Sequence, residues 1–465
     1  MQNKKPQPAE KTEEGSSRRR VPVVSARLPD GTLVELLYRH HERRTLFALA
    51  RGGVISEAEN VELPDGRLLI PYSPENNLIT HKAILLPSEA AEYQAEPILR
   101  ALVQGFIHRY VDLPADFEEV AAHYVLFSWR YDDFPDLPYL RVIGDYGSGK
   151  SRFLATVGSI IYRPIFASGA STVSPLFRIL DAVGGTLVLD EGDFRFSDEK
   201  AEIVKILNNG NAKGFPVLRT ETTPTGEFNP RAFTVYGPKL VSTRHTFEDP
   251  ALESRCITAH LGKGAVRADI PVNLPPEFHD QARSIRNQLL MYRLQEAGRI
   301  DAPAPSLRDL EPRIAQVFSS LLASIDDEKA RGRVLAVARG ASVNLVNLRG
   351  DSIEADIVAA TLAVQGRNSA AIPVKLIARE LLNNDSGAPL SPRAVGAILR
   401  RLGLKPRKRQ GNYVLPVEEM EQLTLLAERY NLTPPEDSPV DFVDIGDETE
   451  EGQHGTESTT AGLMP

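Results

Sequence analysis

Apolar and polar positions follow several rhythms in turn along this chain. Between residues 21 and 88 the apolar residues fall into short runs, at 21–26, 32–38 and 67–72, punctuated by Pro29-Asp30-Gly31 and Pro64-Asp65-Gly66. Proline presets a turn's φ, aspartate bonds its own backbone, and glycine accepts positive φ, so these triplets are turns and the segment reads as β-rich. From 89 to 135 the spacing changes to that of helices. Residues 96–111 carry Ile98, Leu99, Leu102, Val103, Phe106 and Ile107 on one face, and 114–130 carry Phe117, Val120, Ala121, Tyr124, Val125 and Phe127. Residues 136–270 bring compact apolar runs, at 139–143, 184–189 and 237–241, each followed by polar residues and read as strands of an α/β domain. Helical periodicity returns over 271–368, most clearly at 278–297 and 310–325.

A last folded segment is expected at 369–430. A helix is predicted over 372–382. Ser391 and Pro392, an N-cap followed by proline at the first helical position, start another that runs to Leu402. Residues 405–415 then read as two strands about Gly411-Asn412. Helix, helix and basic hairpin is the order of a winged helix. Residues 1–20 and 431–465 are polar, aperiodic and expected to be disordered. No internal repeat is visible.

Composition narrows the class. Of 465 residues, 42% are hydrophobic and 25% charged, which suits a globular chain with a full core. No run approaches the ~18 apolar residues of a membrane span, and the first twenty residues have no apolar core of a secretory signal. The single cysteine, Cys256, excludes an internal disulfide and a cysteine-rich zinc site, so the cytoplasm is the expected compartment. The net charge of −8 is uneven: from Asn431 onward there are nine acidic residues and no Lys or Arg, which leaves the rest at +1. A basic patch on the body is therefore compatible with an acidic chain.

The chemistry concentrates in 136–270. Gly144-Asp145-Tyr146-Gly147-Ser148-Gly149-Lys150-Ser151 follows a predicted strand and opens a predicted helix. GxxxxGK[ST] in that context is a P-loop. Gly144, Gly147 and Gly149 let successive N–H groups point at phosphate oxygens, and the helix N-terminus adds partial positive charge. Lys150 reaches the β- and γ-phosphates of ATP, and the Ser151 hydroxyl ligates Mg²⁺. The strand at 184–189 ends in Asp190 and Glu191. Asp190 is placed to hold Mg²⁺ and Glu191 to polarise the attacking water, with Asp193 as a weaker substitute. Thr243, at the end of the strand beginning near Gly237, is a candidate to bond that water or the γ-phosphate; a plain strand-end threonine is the alternative. Arg255 is a candidate to reach a neighbour's γ-phosphate in a ring, since arginine binds phosphate bidentately and stays charged; a surface arginine is the alternative.

Two segments invite nucleic acid. Residues 208–219 hold Lys213, Phe215 and Arg219, which could grip phosphates and stack, or form a surface hairpin with Phe215 in the core. Arg393, Arg400, Arg401, Lys405, Arg407, Lys408 and Arg409 crowd the winged-helix segment, a phosphate footprint or a solvated basic face. His40, His41, Arg43 and Arg44 read as a solvated strand end.

The order of P-loop, Asp190-Glu191, sensor-like strand and the turn Ala251-Leu252-Glu253-Ser254-Arg255 resembles AAA+ ATPases, specifically the MCM-like and superfamily-three-like helicase ATPases of bacterial mobile elements. The similarity covers 138–262 well. It implies a P-loop AAA+ core with a β-rich N-terminal domain and a C-terminal winged helix. It also implies a homo-hexamer acting on DNA as a helicase or replication ATPase, with a DNA-tethered AAA+ remodeller or regulator as the alternative. Carried over, it makes Asp190 the Mg²⁺-associated acid, Glu191 the base, Thr243 sensor 1 and Arg255 the trans arginine finger. Sensor 1 is commonly asparagine in the family, and here the choice lies between Ser242 and Thr243; Arg313 is the choice for sensor 2. The segment with Lys213 and Arg219 corresponds to an insertion facing the central pore.

Overall fold

The computed structural model describes residues 19–168, 171–190, 198–220, 229–262, 266–299, 306–350, 353–367, 371–383, 390–409, 411–430 and 432. The chain divides into two compact units, Met1–Leu345 and Val346–Pro465.

The first unit begins with β1 (Arg20–Val23), β2 (Ser25–Arg27), β3 (Leu33–Arg39), β4 (Arg44–Arg51), β5 (Val54–Ala58), β6 (Val61–Glu62) and β7 (Leu68–Pro71). The run at 21–26 breaks at Val24: β1 joins β7 and β6 in one sheet, and β2 opens the antiparallel sheet β2-β3-β4-β5. Both Pro-Asp-Gly triplets turn as their chemistry requires. The Asp30 and Asp65 carboxylates accept the backbone N–H groups of Thr32 and Arg67, each at 3.0 Å, and Gly31 and Gly66 take φ of 82° and 79°.

Next come α1 (Asn77–Thr80), α2 (Glu96–Tyr110) and α3 (Ala115–Ser128), the latter two where the periodicity predicts them. The central layer follows: β8 (Tyr139–Ile143), α4 (Lys150–Gly158), β9 (Pro164–Ser168), α5 (Val173–Val183), β10 (Thr186–Asp190), α6 (Asp198–Asn209), β11 (Val217–Arg219), β12 (Arg231–Phe233), β13 (Lys239–Thr243), α7 (Pro250–Glu253) and β14 (Cys256–His260). Five of these strands form one parallel sheet in the order β14-β8-β13-β10-β9. Helices cover both faces of such a sheet, which is why its middle strands are apolar throughout rather than alternating. Arg141, in the centre of β8, is fully buried and tolerated only because Glu253 of α7 accepts from both of its terminal nitrogens and Thr258 from its Nε. The unit closes with α8 (Phe278–Glu296), α9 (Pro312–Ala323) and α10 (Glu328–Gly350) as far as Leu345, and one hydrophobic core runs from Val24 to Ala338.

A buried ionic cluster ties the β3 sheet to the central layer. Glu35, on β3, accepts from Arg293 of α8 (2.7 Å), from Arg163 before β9 (3.2 Å) and from the Tyr162 hydroxyl (2.9 Å). Arg293 also forks onto Asp132 at 2.6 and 2.9 Å. Burial works against both charges, but the contacts prevail: Arg293 holds its proton more tightly than a free guanidinium, and the Asp132 carboxyl is pulled below its ordinary range.

The second unit contains α11 (Ile353–Gly366), β15 (Ile372–Pro373), α12 (Val374–Asn383), α13 (Pro392–Arg401), β16 (Arg407–Arg409), β17 (Asn412–Leu415) and α14 (Met420–Arg429) around its own core. Its sheet runs β15-β17-β16, antiparallel. The helix expected from 372 starts two residues later. Proline disfavours helical backbone in the residue before it, and Ile372 instead pairs with Leu415. Ser391 caps α13, its hydroxyl accepting the Ala394 N–H at 3.2 Å.

Glu35→Gln leaves two buried guanidiniums short of a counter-charge. Removing one partner of a buried pair costs ~3–5 kcal/mol, so the first unit's urea midpoint should drop accordingly. A loss below ~1 kcal/mol means the cluster does not hold these layers together.

Candidate functional site

Parallel strands deliver their C-terminal ends to one edge, and the polar residues following β8, β10 and β13 meet there. The loop after β8 is shaped by its glycines. A side chain on Gly144 would put its Cβ 2.3 Å from the Ser148 hydroxyl, and Gly147 and Gly149 sit at φ of 77° and 93°. Gly149 is the N-cap of α4, so the first N–H groups of that helix open toward the loop. Lys150 folds back over it and donates to the carbonyls of Gly144 and Asp145, both at 2.7 Å.

Asp190 joins three elements. Its Oδ2 accepts from Ser151 of α4 at 3.1 Å and its Oδ1 from Ser242 of β13 at 2.6 Å. The register explains this. Ser168 and Asp190 are level, as are Val142 and Ser242, so one face of the sheet carries all four. That face meets α4, since Gly158 packs beside Phe166 and Val188 of the same rows. Thr243 is one residue further along and so turns to the other face. It is buried there, and its hydroxyl has no hydrogen-bond partner among the described residues. Of the two adjacent hydroxyls, Ser242 is the one beside Asp190. Glu191 and Asp193 lie outside the described residues.

A cleft of about 370 Å³ opens over this group, lined by residues 146–152, Asp190 and Arg244. Arg244 carries no functional assignment in the sequence reading. The signal was its position, first after β13, at the edge where Asp190 ends its own strand. A second cleft, about 500 Å³, shares Tyr146, Gly147 and Ser148 with the first and continues between Leu113 and Pro114 on one side and Leu261 and Gly262 on the other. At that boundary Ser148 Oγ is buried and has no hydrogen-bond partner among the described residues. Chemically, the edge offers convergent backbone N–H groups and a lysine for an anion, and a carboxylate with two hydroxyls for a hard cation. Among the described residues no cluster of three His, Cys, Asp or Glu side chains forms a metal cage.

Arg255 stands at the opposite edge. It begins the turn into β14, where its carbonyl accepts the N–H of Tyr139, the first residue of β8. The five residues of β8 span roughly 16 Å at ~3.3 Å each, so Arg255 does not join Lys150 within its own chain. Its guanidinium bonds Asn211 Oδ1 at 2.8 Å, the Ala251 carbonyl at 2.6 Å and Asn208. Burial, then neighbouring Arg313, lowers its pKa. Arg313 bonds Ser254 at 3.2 Å, so it also lies at this edge and away from Lys150.

In the 208–219 segment Phe215 is exposed rather than in the core, as is Leu218 on the β11–β12 hairpin. Lys213 donates to the Asp132 carbonyl at 2.6 Å, and Arg219 pairs with Glu202 at 3.0 Å. In the second unit Arg393, Arg400, Arg401, Lys405, Arg407, Lys408 and Arg409 are all exposed. Arg401 is paired with Glu354, and Arg400 lies over the Tyr413 ring at 5.5 Å.

No family model matches the sequence, and no curated protein matches it. Among solved structures the chain is similar to the A-form apo structure of the NrS-1 C-terminal region, with a TM-score of 0.34 and 10% identity over 83% of this chain and 97% of that one. It is also similar to the JCV helicase, with a TM-score of 0.23 and 10% identity over 54% of this chain and 61% of that one.

Proposed function

We propose that this protein is an ATP-driven motor on DNA, of the AAA+ superfamily-three-like helicase type, assembled as a homo-hexamer. One observation carries the ATPase reading: Lys150, Ser151, Asp190 and Ser242 converge beside a glycine-shaped loop at the C-terminal edge of a parallel sheet. In this reading the loop and α4 N–H groups hold the β- and γ-phosphates, and Lys150 exchanges its two loop carbonyls for phosphate oxygens. The Asp190 carboxylate and Ser151 hydroxyl, 3.1 Å apart, are oxygen donors of the kind Mg²⁺ takes while keeping several waters. The metal, when bound, offsets charge on the transferring group. The nucleoside would extend into the cleft between Leu113 and Leu261.

Hydrolysis requires water to attack the γ-phosphorus while its bond to the β–γ bridging oxygen breaks. Glu191 takes the water's proton and ADP leaves. Ser242 fixes the Asp190 carboxylate and reports its position to β13, which makes it the better sensor candidate than Thr243. Arg244, on the rim of the same cleft, is placed to meet the γ-phosphate from its own chain. Arg255, at the far sheet edge, serves the site of a neighbouring protomer. DNA contacts fall to exposed Phe215 with Lys213 and Arg219, and to the second unit, read as a winged helix whose β16 and α13 present the basic residues.

Lys150→Ala should lower ATP turnover by ~10² or more while leaving the melting temperature unchanged, since one preorganised cation at the transferring phosphate is worth about that much. Wild-type turnover should rise with single-stranded DNA. Turnover preserved in the variant removes the ATPase reading, and a rate indifferent to DNA favours the tethered remodeller.

Mixing tests the assembly. Lys150→Ala and Arg255→Ala protomers, each inactive alone, should regain part of the activity together, because mixed rings contain an intact loop facing an intact arginine. Full activity in a dilute monomer contradicts the trans role.

A further inference from the structure

A third cleft, of about 400 Å³, lies in the first unit away from the glycine loop, where the β3–β4 turn, the segment after α1 and the first turns of α8 meet. Its charge is unusual. Among its described residues the first unit buries five arginines: Arg130, Arg141, Arg163, Arg286 and Arg293. Four of them pair with carboxylates, namely Asp133, Glu253, Glu35 and Glu35 with Asp132. Arg286 alone has no carboxylate partner among the described residues. It is 6% exposed and donates only to the carbonyls of Ser159 (2.5 Å) and Leu86 (3.4 Å). Burial and the nearby Arg283 push its pKa down to about 9. A buried guanidinium without an anion is costly, and folds normally supply one.

The rest of the lining does not supply it. Arg283 is matched by Asp280 at 2.7 Å. Lys82 has no ion-pair partner among the described residues, and its backbone sits at φ 55°, a left-handed conformation that L residues avoid. Burial, and then the charges of Lys82 and Arg286, lower the pKa of His279. Two positive charges thus face the cleft unmatched, the complement of a phosphate monoester near its second ionisation. At the mouth Tyr38, His40 and His41 form a stack, with successive centroids 5.8 and 6.1 Å apart and planes within 22° and 24°. Both imidazoles are exposed. Flat rings beside a phosphate-sized cationic pocket are the usual means of holding a base.

We propose that this cleft binds a nucleoside phosphate, free or as one unit of a single nucleic-acid strand, with the phosphate between Lys82 and Arg286 and the base on the His40–His41 stack. The site is separate from the glycine loop and stands or falls independently of the ATPase reading.

The test uses the full chain carrying Lys150→Ala, so that the loop does not contribute nucleotide binding. Titrations with dTMP and with a 5′-phosphorylated thymidine octamer are compared with titrations using thymidine alone. The expected result is binding of dTMP, the octamer or both, little binding of thymidine, and a loss of tenfold or more in Lys82→Ala. His41→Ala should cause a smaller loss. These side chains lie at the surface of the cleft, so the melting temperature should not change. Equal affinity for dTMP and the octamer identifies the free nucleotide as ligand, and binding of the octamer alone that is weakened in Lys82→Ala identifies a strand. Binding of neither phosphate probe, or affinities unchanged in Lys82→Ala, overturns the proposal. Arg286→Gln gives a second reading: anion-dependent stabilisation against heat, with dTMP as the anion, should disappear in it.

Discussion

The site is set by the register of three parallel strands. Strands β8, β13 and β10 are hydrogen-bonded neighbours, and their pairing places Val142, Ser242 and Asp190 in one row on the face that meets α4. A slip of one residue in β13 would exchange Ser242 for Thr243 and turn the Asp190 partner into the opposite layer, because side chains alternate along a strand. Burial on both faces is what prevents the slip: Leu240 and Val241 are each enclosed, so neither face accepts a polar neighbour in exchange. The glycine loop depends on the same pairing, since Gly144 donates its N–H to the Thr243 carbonyl as the strands part.

Parallel pairing also separates functions by edge. Residues that follow strands gather at one end with Lys150, and those that precede them gather at the other with Arg255 and Arg313. A chemistry that needs both ends takes them from two copies, which is what the proposed trans role of Arg255 requires. The arginine at the far edge is held by Asn208, in the last turn of α6, and by Asn211 just beyond that helix, which follows Asp190 in the chain. Movement of that helix on nucleotide turnover would therefore be felt at the arginine directly.

Much of this was legible from local pattern. The glycine loop, the helices α2 and α3 and the Pro-Asp-Gly turns each carry their signal within a few residues. What was not legible depends on pairing. Which of two consecutive hydroxyls faces Asp190 follows from the register between β10 and β13, and nothing local to Ser242-Thr243 encodes it. Strand β4 is buried at Thr45 to Ala48 and at Ala50, with Leu49 partly buried, so it lacks the alternation that marks a half-exposed strand. The break at Val24 likewise reflects two sheets competing for one apolar segment. His40 and His41 read as a solvated strand end; they are exposed, but they border a cleft whose buried arginine comes from α8, far along the chain.

The account rests on a metal-assisted nucleotide site built from Lys150, Ser151 and Asp190, and equilibrium binding of a fluorescent ATP analogue tests it most directly. Wild-type affinity should fall about tenfold or more when EDTA replaces Mg²⁺, corresponding to ~1.4 kcal/mol per decade. Asp190→Asn should bind as the wild type does in EDTA and gain nothing from the metal. Binding that is equally tight with and without Mg²⁺ in both proteins would contradict the account.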